Sequence, residues 1–229
     1  MPLAGKGMLL TSMDIDPKDE ADFNRWYDRE HLKERVAIEG FIEARRYVAH
    51  SGTPKYLCLY STETIEVLDS PAYRARLANP TAWSAKTMAR FKNMIRAVAR
   101  VSISKGNGRG AVLGILRLRP QDGSEDALRA MLQIKLVSED LDGIISTHLI
   151  ESDPRLSGPT QELAVESRST GDWFVLIDGV NLSAVSSVLA ERFSHVATPM
   201  PATQVSSGIY DLMWDLAKGD INPGLNSNG

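Results

Sequence analysis

The sequence has little of what a disulfide-bonded, metal-binding or membrane-spanning protein needs. Cys58 is the only cysteine in 229 residues, so no internal disulfide and no multi-cysteine metal site can form. The longest apolar run near the N-terminus, residues 8–10, is far too short for a signal sequence or a membrane span. We therefore expect a cytoplasmic protein with no membrane partner.

Acidic residues are absent from residues 70–121, although the formal net charge of the chain is -3. A basic stretch could steer an anionic substrate or bind nucleic acid. This one lacks the interleaved aromatic residues of a single-strand binding surface, and no nucleic-acid-binding motif accompanies it. We expect a solvated face paired with acidic helices, and no nucleic-acid partner. The eleven basic residues within residues 70–121 are Arg74, Arg76, Lys86, Arg90, Lys92, Arg96, Arg100, Lys105, Arg109, Arg117 and Arg119.

The common catalytic and cofactor signatures are also missing. The sequence contains no Gly-x-Ser-x-Gly elbow, no phosphate-binding P-loop and no Cys-His nucleophile signature. His50, His148 and His195 have no metal-ligand spacing among themselves. We therefore predict neither a metal site nor a cofactor.

The two halves of the chain share one plan. An ungapped shift of 103 positions places Pro17 on Pro120, Asp19 on Asp122 and Gly40 on Gly143. Patterns typical of strands and helices follow the same order in both halves, β-α-β-β-α-β, which is the ferredoxin-like unit. The predicted strands are residues 8–15, 41–49, 56–61 and 95–104 in the first half, and 111–118, 144–150, 173–178 and 204–214 in the second. Between the third and fourth strands of the first half, residues 64–78 and 81–94 are predicted to be helical.

We therefore predict an α+β protein in which tandem ferredoxin-like βαββαβ repeats form an α+β barrel. The predicted divisions are residues 1–105 for the first repeat, which carries the pocket, 106–110 for a glycine-rich linker, 111–217 for a second, degenerate repeat, and 218–229 for a flexible tail. Residues 151–171 form a long connection that could be a lid or a plain surface loop. Whether the repeats pack within one chain or across a dimer stays open.

The first predicted helix, residues 20–38, carries unusual side chains. At about 100° per residue, Leu32 and Val36 point away from its aromatic face. That face must meet the sheet, so the ionisable residues on it predict a polar pocket between helix and sheet. The second repeat lacks the equivalent residues, so the fold does not require them. The face consists of Phe23, Trp26, Tyr27, Glu30, His31, Glu34 and Ile38.

Structural roles for the same residues stay open. Glu30 and Glu34 could lie in water at the helix edge, with Lys33 and Arg35 compensating their repulsion. His31 could be a satisfied core histidine. Tyr27 lies four residues before His31, a spacing that suits proton transfer with a phenol as donor.

Several segments resemble a known group of proteins. FNRWYDREHLKERVAIEGFIEARRYVA, followed by PKYLCLYS, SPAY and NPTAW, is similar to the dimeric α+β barrel superfamily, nearest to EthD-like proteins. The resemblance covers about the first hundred residues. It implies a small hydrophobic ligand in a cavity between sheet and helices, with His31 as the helix histidine. Superfamily members include cofactor-free monooxygenases, isomerases, cyclases, decarboxylases, stress proteins and haem-handling enzymes.

Three further residues are candidates for the same pocket. Arg45 and Arg46 point to opposite faces of a predicted strand, and we assign Arg46 to the substrate, although a salt bridge is the alternative. Tyr60 shares a strand face with Tyr56 and Cys58, a stripe that could equally be core. Trp83 is expected to form an apolar wall.

These residues lead to one hypothesis, a cofactor-independent enzyme acting on a small aromatic or polyketide-like carbonyl compound. His31 would be the general acid or base, Tyr27 would bind the substrate oxygen or orient His31, and Glu30 would polarise the imidazole. Phe23, Trp26, Arg46, Tyr60 and Trp83 would bind the substrate. The alternatives are a cofactor-free monooxygenase, a haem-binding protein with His31 as axial ligand, and a non-catalytic small-ligand-binding or stress protein. A homodimer is possible.

Overall fold

Strands that alternate apolar residues between two faces form the centre of the molecule. The computed structural model describes residues 3–137, 140–158, 171–193 and 200–221. Its strands are β1 (Gly7–Asp14), β2 (Phe41–Ser51), β3 (Tyr56–Thr62), β4 (Lys92–Gly106), β5 (Val112–Pro120), β6 (Ile144–Ser152), β7 (Trp173–Gly179) and β8 (Ala202–Ala217).

Helices cover the outer face of this sheet, as the α+β prediction requires. The α-helices are α1 (Glu20–Trp26), α2 (Leu32–Val36), α3 (Pro71–Ala78), α4 (Ala82–Met88), α5 (Glu125–Lys135) and α6 (Leu182–Phe193). A π-helical turn, Tyr27–His31, joins α1 to α2, and short 3-10 helices span Ile65–Asp69 and Lys218–Asp220. No helix among the described residues is long and apolar enough to cross a membrane.

The eight strands close into an antiparallel barrel in the order β1-β3-β2-β8-β5-β7-β6-β4. Two pairings, β2 with β8 and β4 with β6, join the strands of the first half to those of the second. The question that the sequence left open is therefore answered: the halves pack on each other within one chain. The α+β barrel fold is confirmed, while a homodimer stays a prediction.

A glycine precedes the second strand of each half. Gly40 and Gly143, which the 103-residue shift superimposes, have φ angles of 81° and 75° and stand directly before β2 and β6. Glycine adopts this left-handed conformation without steric cost. In both halves it turns the chain sharply into the second strand.

Apolar side chains form layers on both sides of the sheet. Inside the barrel lie alternate strand residues such as Met8, Leu10 and Leu59, and two further clusters fill the spaces between the outer sheet face and the helices. The cluster under α1 to α4 holds most of the aromatic residues, among them Phe23 and Trp26. The aromatic half of the protein therefore lies under the first set of helices.

One predicted element is wrong and two lie partly outside the described structure. The expected helix over residues 81–94 ends at Met88, since residues 89–90 form a turn and β4 begins at Lys92. Within the long connection over residues 151–171, residues 159–170 lie outside the described residues, as do residues 222–229 of the tail and His195.

Candidate active site

A cavity lies between the outer face of the first-half sheet, the π-helical turn and helices α2 to α4. It encloses about 430 Å³ of empty space, including its opening to solvent. Strands β1, β3 and β4 form its floor, and the helices and the π-helical turn form its walls. Most of the surface is apolar and three methionines contribute to it. The lining residues are Leu9, Thr11, Met13, Tyr27, His31, Arg35, Tyr60, Tyr73, Leu77, Met88, Phe91, Met94 and Arg96.

The π-helical turn decides which residues reach this cavity. A π turn holds one more residue than an α turn, so every position after it is rotated about the helix axis. Leu32, Arg35 and Val36 are buried, whereas Glu34 is only partly buried and ion-pairs with Arg76 at 3.5 Å. The prediction that Leu32 and Val36 point away from the core is wrong, because it assumed a regular helix.

His31 lies at the end of the π turn, stacked on Trp26. Their ring centroids are 4.1 Å apart, and the Tyr27 and Tyr60 rings lie edge-on at 5.1 and 6.3 Å. The imidazole Nδ1 is buried and makes no hydrogen bond to any described residue. An unpaired polar atom in a buried site requires an explanation, and a ligand atom or water can supply one.

The surroundings of His31 keep it neutral. Burial lowers the pKa of His31 well below its ordinary value, and the positive charges of Arg35 and Arg46 lower it further. A neutral imidazole has one nitrogen able to accept a proton. At neutral pH the ring can therefore act as a base.

Hydroxyl groups lie beside the imidazole. Burial raises the pKa of both Tyr27 and Tyr60 well above the ordinary tyrosine value, so both keep their protons. Tyr27 donates weakly to the Met13 sulfur at 3.8 Å, while the hydroxyls of Tyr60 and Thr11 make no hydrogen bond to a described residue. The cavity thus offers neutral donors for a substrate oxygen.

Two guanidinium groups complete the polar part of the lining. Arg35 lies one helical turn beyond His31, and Arg96 extends from β4; both side chains are buried. Arg96 donates to the Leu156 carbonyl oxygen at 2.7 Å and to the Tyr73 hydroxyl at 3.4 Å. Among the lining residues that the structure describes, none is a carboxylate.

Glu30 does not face the cavity. Its carboxylate accepts hydrogen bonds from the Thr81 hydroxyl at 2.6 Å and the Ser84 hydroxyl at 3.1 Å. The same Ser84 oxygen accepts a hydrogen bond from the Trp26 indole at 3.0 Å. The structure therefore places Glu30 behind the ring on which His31 stacks, and not on the imidazole as the sequence suggested.

Other predicted substrate-binding residues lie beneath or beside the cavity. The Arg46 guanidinium stacks over Tyr27, 4.3 Å from the ring centroid, and ion-pairs with Asp28 at 3.1 Å. Phe23 packs edge-on against Tyr27 at 5.0 Å. Neither residue lines the cavity, nor do Trp26 and the half-buried Trp83. Of the predicted site residues the structure brings together Tyr27, His31 and Tyr60.

Sequence reasoning did not select Arg35, Arg96, Thr11 or Tyr73. Arg35 follows His31 by four residues, which is a readable spacing, but Glu34 fitted the assumed helix better. Arg96 and Thr11 face each other on β4 and β1, a pairing that only the strand register reveals. The one sequence signal for Arg96 is strand alternation, which places it on the same sheet face as Met94.

Solved structures with the same fold support the architecture. No protein-family model and no curated protein sequence matches the chain. An anthrone oxidase-like protein is 9% identical, with 95% of each chain covered and a TM-score of 0.65. A candidate monooxygenase from Lactobacillus acidophilus is 7% identical, with 94% of this chain and 97% of that chain covered and a TM-score of 0.60.

A third solved structure has the same fold. A candidate chlorite dismutase is 11% identical, with 95% of this chain and 97% of that chain covered and a TM-score of 0.54. At such low identities the likeness shows the fold alone. The chain therefore shares the α+β barrel fold of these solved structures, which is the fold that its resemblance to EthD-like proteins implied.

Proposed function

We propose that this protein is a cofactor-independent enzyme that transfers a proton next to the carbonyl group of a small aromatic or polyketide-like compound. The observation that carries the proposal is the buried, neutral His31, whose Nδ1 has no described partner and which lines a mostly apolar cavity. A general base needs the correct protonation state at working pH and access to the proton. His31 meets both conditions.

The surrounding residues suggest how the proton would move. His31 takes a proton from the carbon beside the carbonyl, and the electron pair of the broken C–H bond delocalises into an enolate. The Tyr60 or Tyr27 hydroxyl donates a hydrogen bond to the enolate oxygen, which stabilises its developing charge. The imidazolium then returns the proton to a different carbon, which completes an isomerisation; cyclisation and decarboxylation proceed through the same type of enolate.

Glu30 has a supporting role in this proposal. Through Ser84 it holds the Trp26 indole in place, and Trp26 supports the imidazole. Glu30 is therefore a positioning residue here, and the electrostatics of His31 come mainly from burial and the nearby arginines.

Exchange of substrate protons with deuterated water tests the proposal without knowledge of the product. The purified protein is incubated with 2-tetralone, 1-indanone or anthrone in deuterated buffer, and loss of the C–H signals is followed by NMR. We expect catalysed exchange with the wild type and loss of catalysis in His31→Ala. His50→Ala, which changes a half-exposed histidine outside the cavity, is the matched control and should exchange normally.

Absence of exchange across the panel, or equal rates for wild type and His31→Ala, would end the enzyme proposal. Binding of these compounds without exchange, detected as a rise in Tm, would favour the small-ligand-binding alternative. Folding of each variant is checked by circular dichroism before rates are compared.

A second candidate, cofactor-free oxygenation, is favoured by the structural neighbour named as anthrone oxidase-like. The carbanion formed by His31 would reduce molecular oxygen: a CH₂ group and O₂ give a C=O group and water. The apolar, methionine-lined cavity can hold O₂ beside the substrate. Oxygen uptake with anthrone, dependent on His31, would distinguish this reaction from isomerisation.

A further inference from the structure

The basic residues of the acid-free stretch, residues 70–121, are mostly neutralised by carboxylates from other parts of the chain. Eight of its eleven basic residues form ion pairs of this kind. The expectation of a basic face paired with acidic residues accounts for these eight. The pairs are Arg74 with Asp69, Arg76 with Glu34, Arg90 with Asp19 and Asp22, Lys92 with Asp16, Arg100 with Glu66, Arg109 with Glu43 and Asp215, and both Arg117 and Arg119 with Asp172.

Arg96 differs from the other members of the stretch. Lys86 and Lys105 also form no ion pair with a described residue, but Lys86 is exposed and Lys105 is partly exposed, so water can solvate both charges. Arg96 is only 4% exposed, and within the described ranges its hydrogen-bond partners, the Leu156 carbonyl and the Tyr73 hydroxyl, carry no charge. A buried charge is costly without a counter-charge.

Three other buried arginines in the described structure each pair with a carboxylate, which Arg96 does not. Arg45 pairs with Asp178 at 3.4 Å, and Arg46 pairs with Asp28 at 3.1 Å. Arg117 is held by Asp172 at 2.6 Å. For Arg96, a carboxylate could approach from the cavity side, where none of the described lining residues is acidic.

We propose that Arg96 binds a carboxylate group of the substrate, so that the ligand of this cavity is a small aromatic carboxylic acid. This inference rests on the proposed function, because it names the substrate class of the same site. Arginine presents paired N–H groups that match the two oxygens of a carboxylate. The remaining lining, with its methionines and aromatic rings, suits the apolar body of such a compound.

The Thr11 hydroxyl lies beside Arg96 and could bind the same carboxylate. Thr11 on β1 is paired with Arg96 on β4, and both side chains line the cavity. The Thr11 hydroxyl is buried and makes no hydrogen bond to a described residue. A carboxylate bound at Arg96 can accept this hydrogen bond, while His31 in the same cavity faces the rest of the ligand.

Calorimetric titration of the full chain with 2-naphthoate and with its neutral analogue 2-naphthamide tests the inference. We expect the wild type to bind the acid about tenfold or more tightly than the amide, as a charge-assisted bidentate contact provides. Arg96→Gln should remove that preference and leave binding of the amide within about twofold. Arg100→Gln is the matched control, since it changes an exposed arginine on the same strand and should leave the preference intact.

Two further measurements keep the test decisive if Arg96→Gln does not fold. Arg96→Lys retains the charge and should keep part of the preference, while Thr11→Val should reduce the affinity for 2-naphthoate and leave that for 2-naphthamide unchanged. Equal binding of acid and amide by the wild type overturns the inference, as does an unchanged preference in folded Arg96→Gln.

The outcomes also separate this inference from the proposed function. Catalysed exchange of neutral ketones that depends on His31, together with equal binding of acid and amide, would refute only the carboxylate inference. A strong preference for 2-naphthoate, abolished in Arg96→Gln, with no exchange of any compound would refute only the enzymatic function.

Discussion

At the scale of single residues, the properties of His31 come from what surrounds it. An exposed histidine changes charge near pH 6.5. Here burial removes the imidazolium from water, and the positive charges of Arg35 and Arg46 disfavour it further. The histidine therefore remains a neutral base at a pH where an exposed one is half protonated.

The pH dependence of exchange follows from this shift. Because the folded-state pKa of His31 is lowered, its base form persists below pH 6.5, and the exchange rate should stay level as pH falls through 6.5. The rate should decline only in more acidic buffer. Deuterium exchange of 2-tetralone across a pH series measures this, with fluorescence confirming the folded state at each pH. Half-loss of the rate at or above pH 6.5 would contradict a buried, neutral His31 as the base.

Tyr60 allows a test that separates stability from catalysis. Its hydroxyl is buried without a described hydrogen-bond partner, and such a group costs about 1–3 kcal/mol. Tyr60→Phe should leave the free energy of unfolding unchanged or raise it, while exchange slows about tenfold or more because the enolate loses a donor. The matched variant Tyr210→Phe loses a hydrogen bond to the Pro54 carbonyl and should cost about 1 kcal/mol without slowing exchange. Urea unfolding measures the free energy of unfolding of each variant, and NMR measures its exchange rate. A lower free energy of unfolding with an unchanged exchange rate in Tyr60→Phe would assign Tyr60 to the core alone.

At the scale of elements, the π-helical turn Tyr27–His31 sets the register of the first helical segment. Before the turn the buried positions are Phe23 and Trp26, and within it they are Tyr27 and His31. After the turn they are Leu32, Arg35 and Val36. The extra residue lets His31 stack on Trp26, five positions earlier in the chain. Turns of this type occur frequently at functional sites.

Deletion of Arg29 should convert the turn into regular α-helix. The buried residues would then recur with α-helical spacing, so we expect the barrel to fold, but His31 would move relative to Trp26 and the cavity. A misplacement of about 1 Å can slow catalysis about 100-fold, and we expect a loss of this size in the exchange rate. Arg29→Ala keeps the chain length and is the control, with a near-normal rate. Equal rates for the deletion and Arg29→Ala would show that the turn has no role in catalysis.

At the scale of the whole molecule, charged residues inside one end of the barrel link its two halves. Arg45 on β2 is buried against Asp178 on β7, 3.4 Å away, and against Glu43 at 3.7 Å. Arg109, between β4 and β5, reaches Glu43 and also Asp215 on β8 at 3.0 Å. Apart from the contact of Arg45 with Glu43, these contacts join residues far apart in sequence, so they form only when the barrel closes.

Removing one partner from this cluster should destabilise the whole barrel. Asp178→Asn leaves the Arg45 charge poorly compensated, and we expect a loss of about 3 kcal/mol or more in the free energy of unfolding. Neutralising the exposed pair Arg100 and Glu66 should cost less than about 1 kcal/mol. Urea unfolding measures both, and similar costs for the two pairs would show that the buried cluster does not hold the halves together.

Much of the fold follows from local patterns in the sequence. All eight strands were placed within a few residues, because alternating burial acts between near neighbours in the chain. Tyr27 and His31 could be selected together because they lie four residues apart on one face. The helix predicted over residues 81–94 is too long, because periodicity does not show that the chain pairs with β1 as a strand from Lys92 onward.

The sequence by itself determined the two-fold order of elements, the strand alternation and the aromatic segment that carries His31, since each depends on residues close together in the chain. The tertiary structure decided that Glu30 contacts Ser84 and Thr81, that Arg46 is paired with Asp28, and that Arg96 is buried without a described carboxylate partner. Those outcomes depend on which distant strands and helices meet. Burial and charge pairing between such elements cannot be read from spacing along the chain.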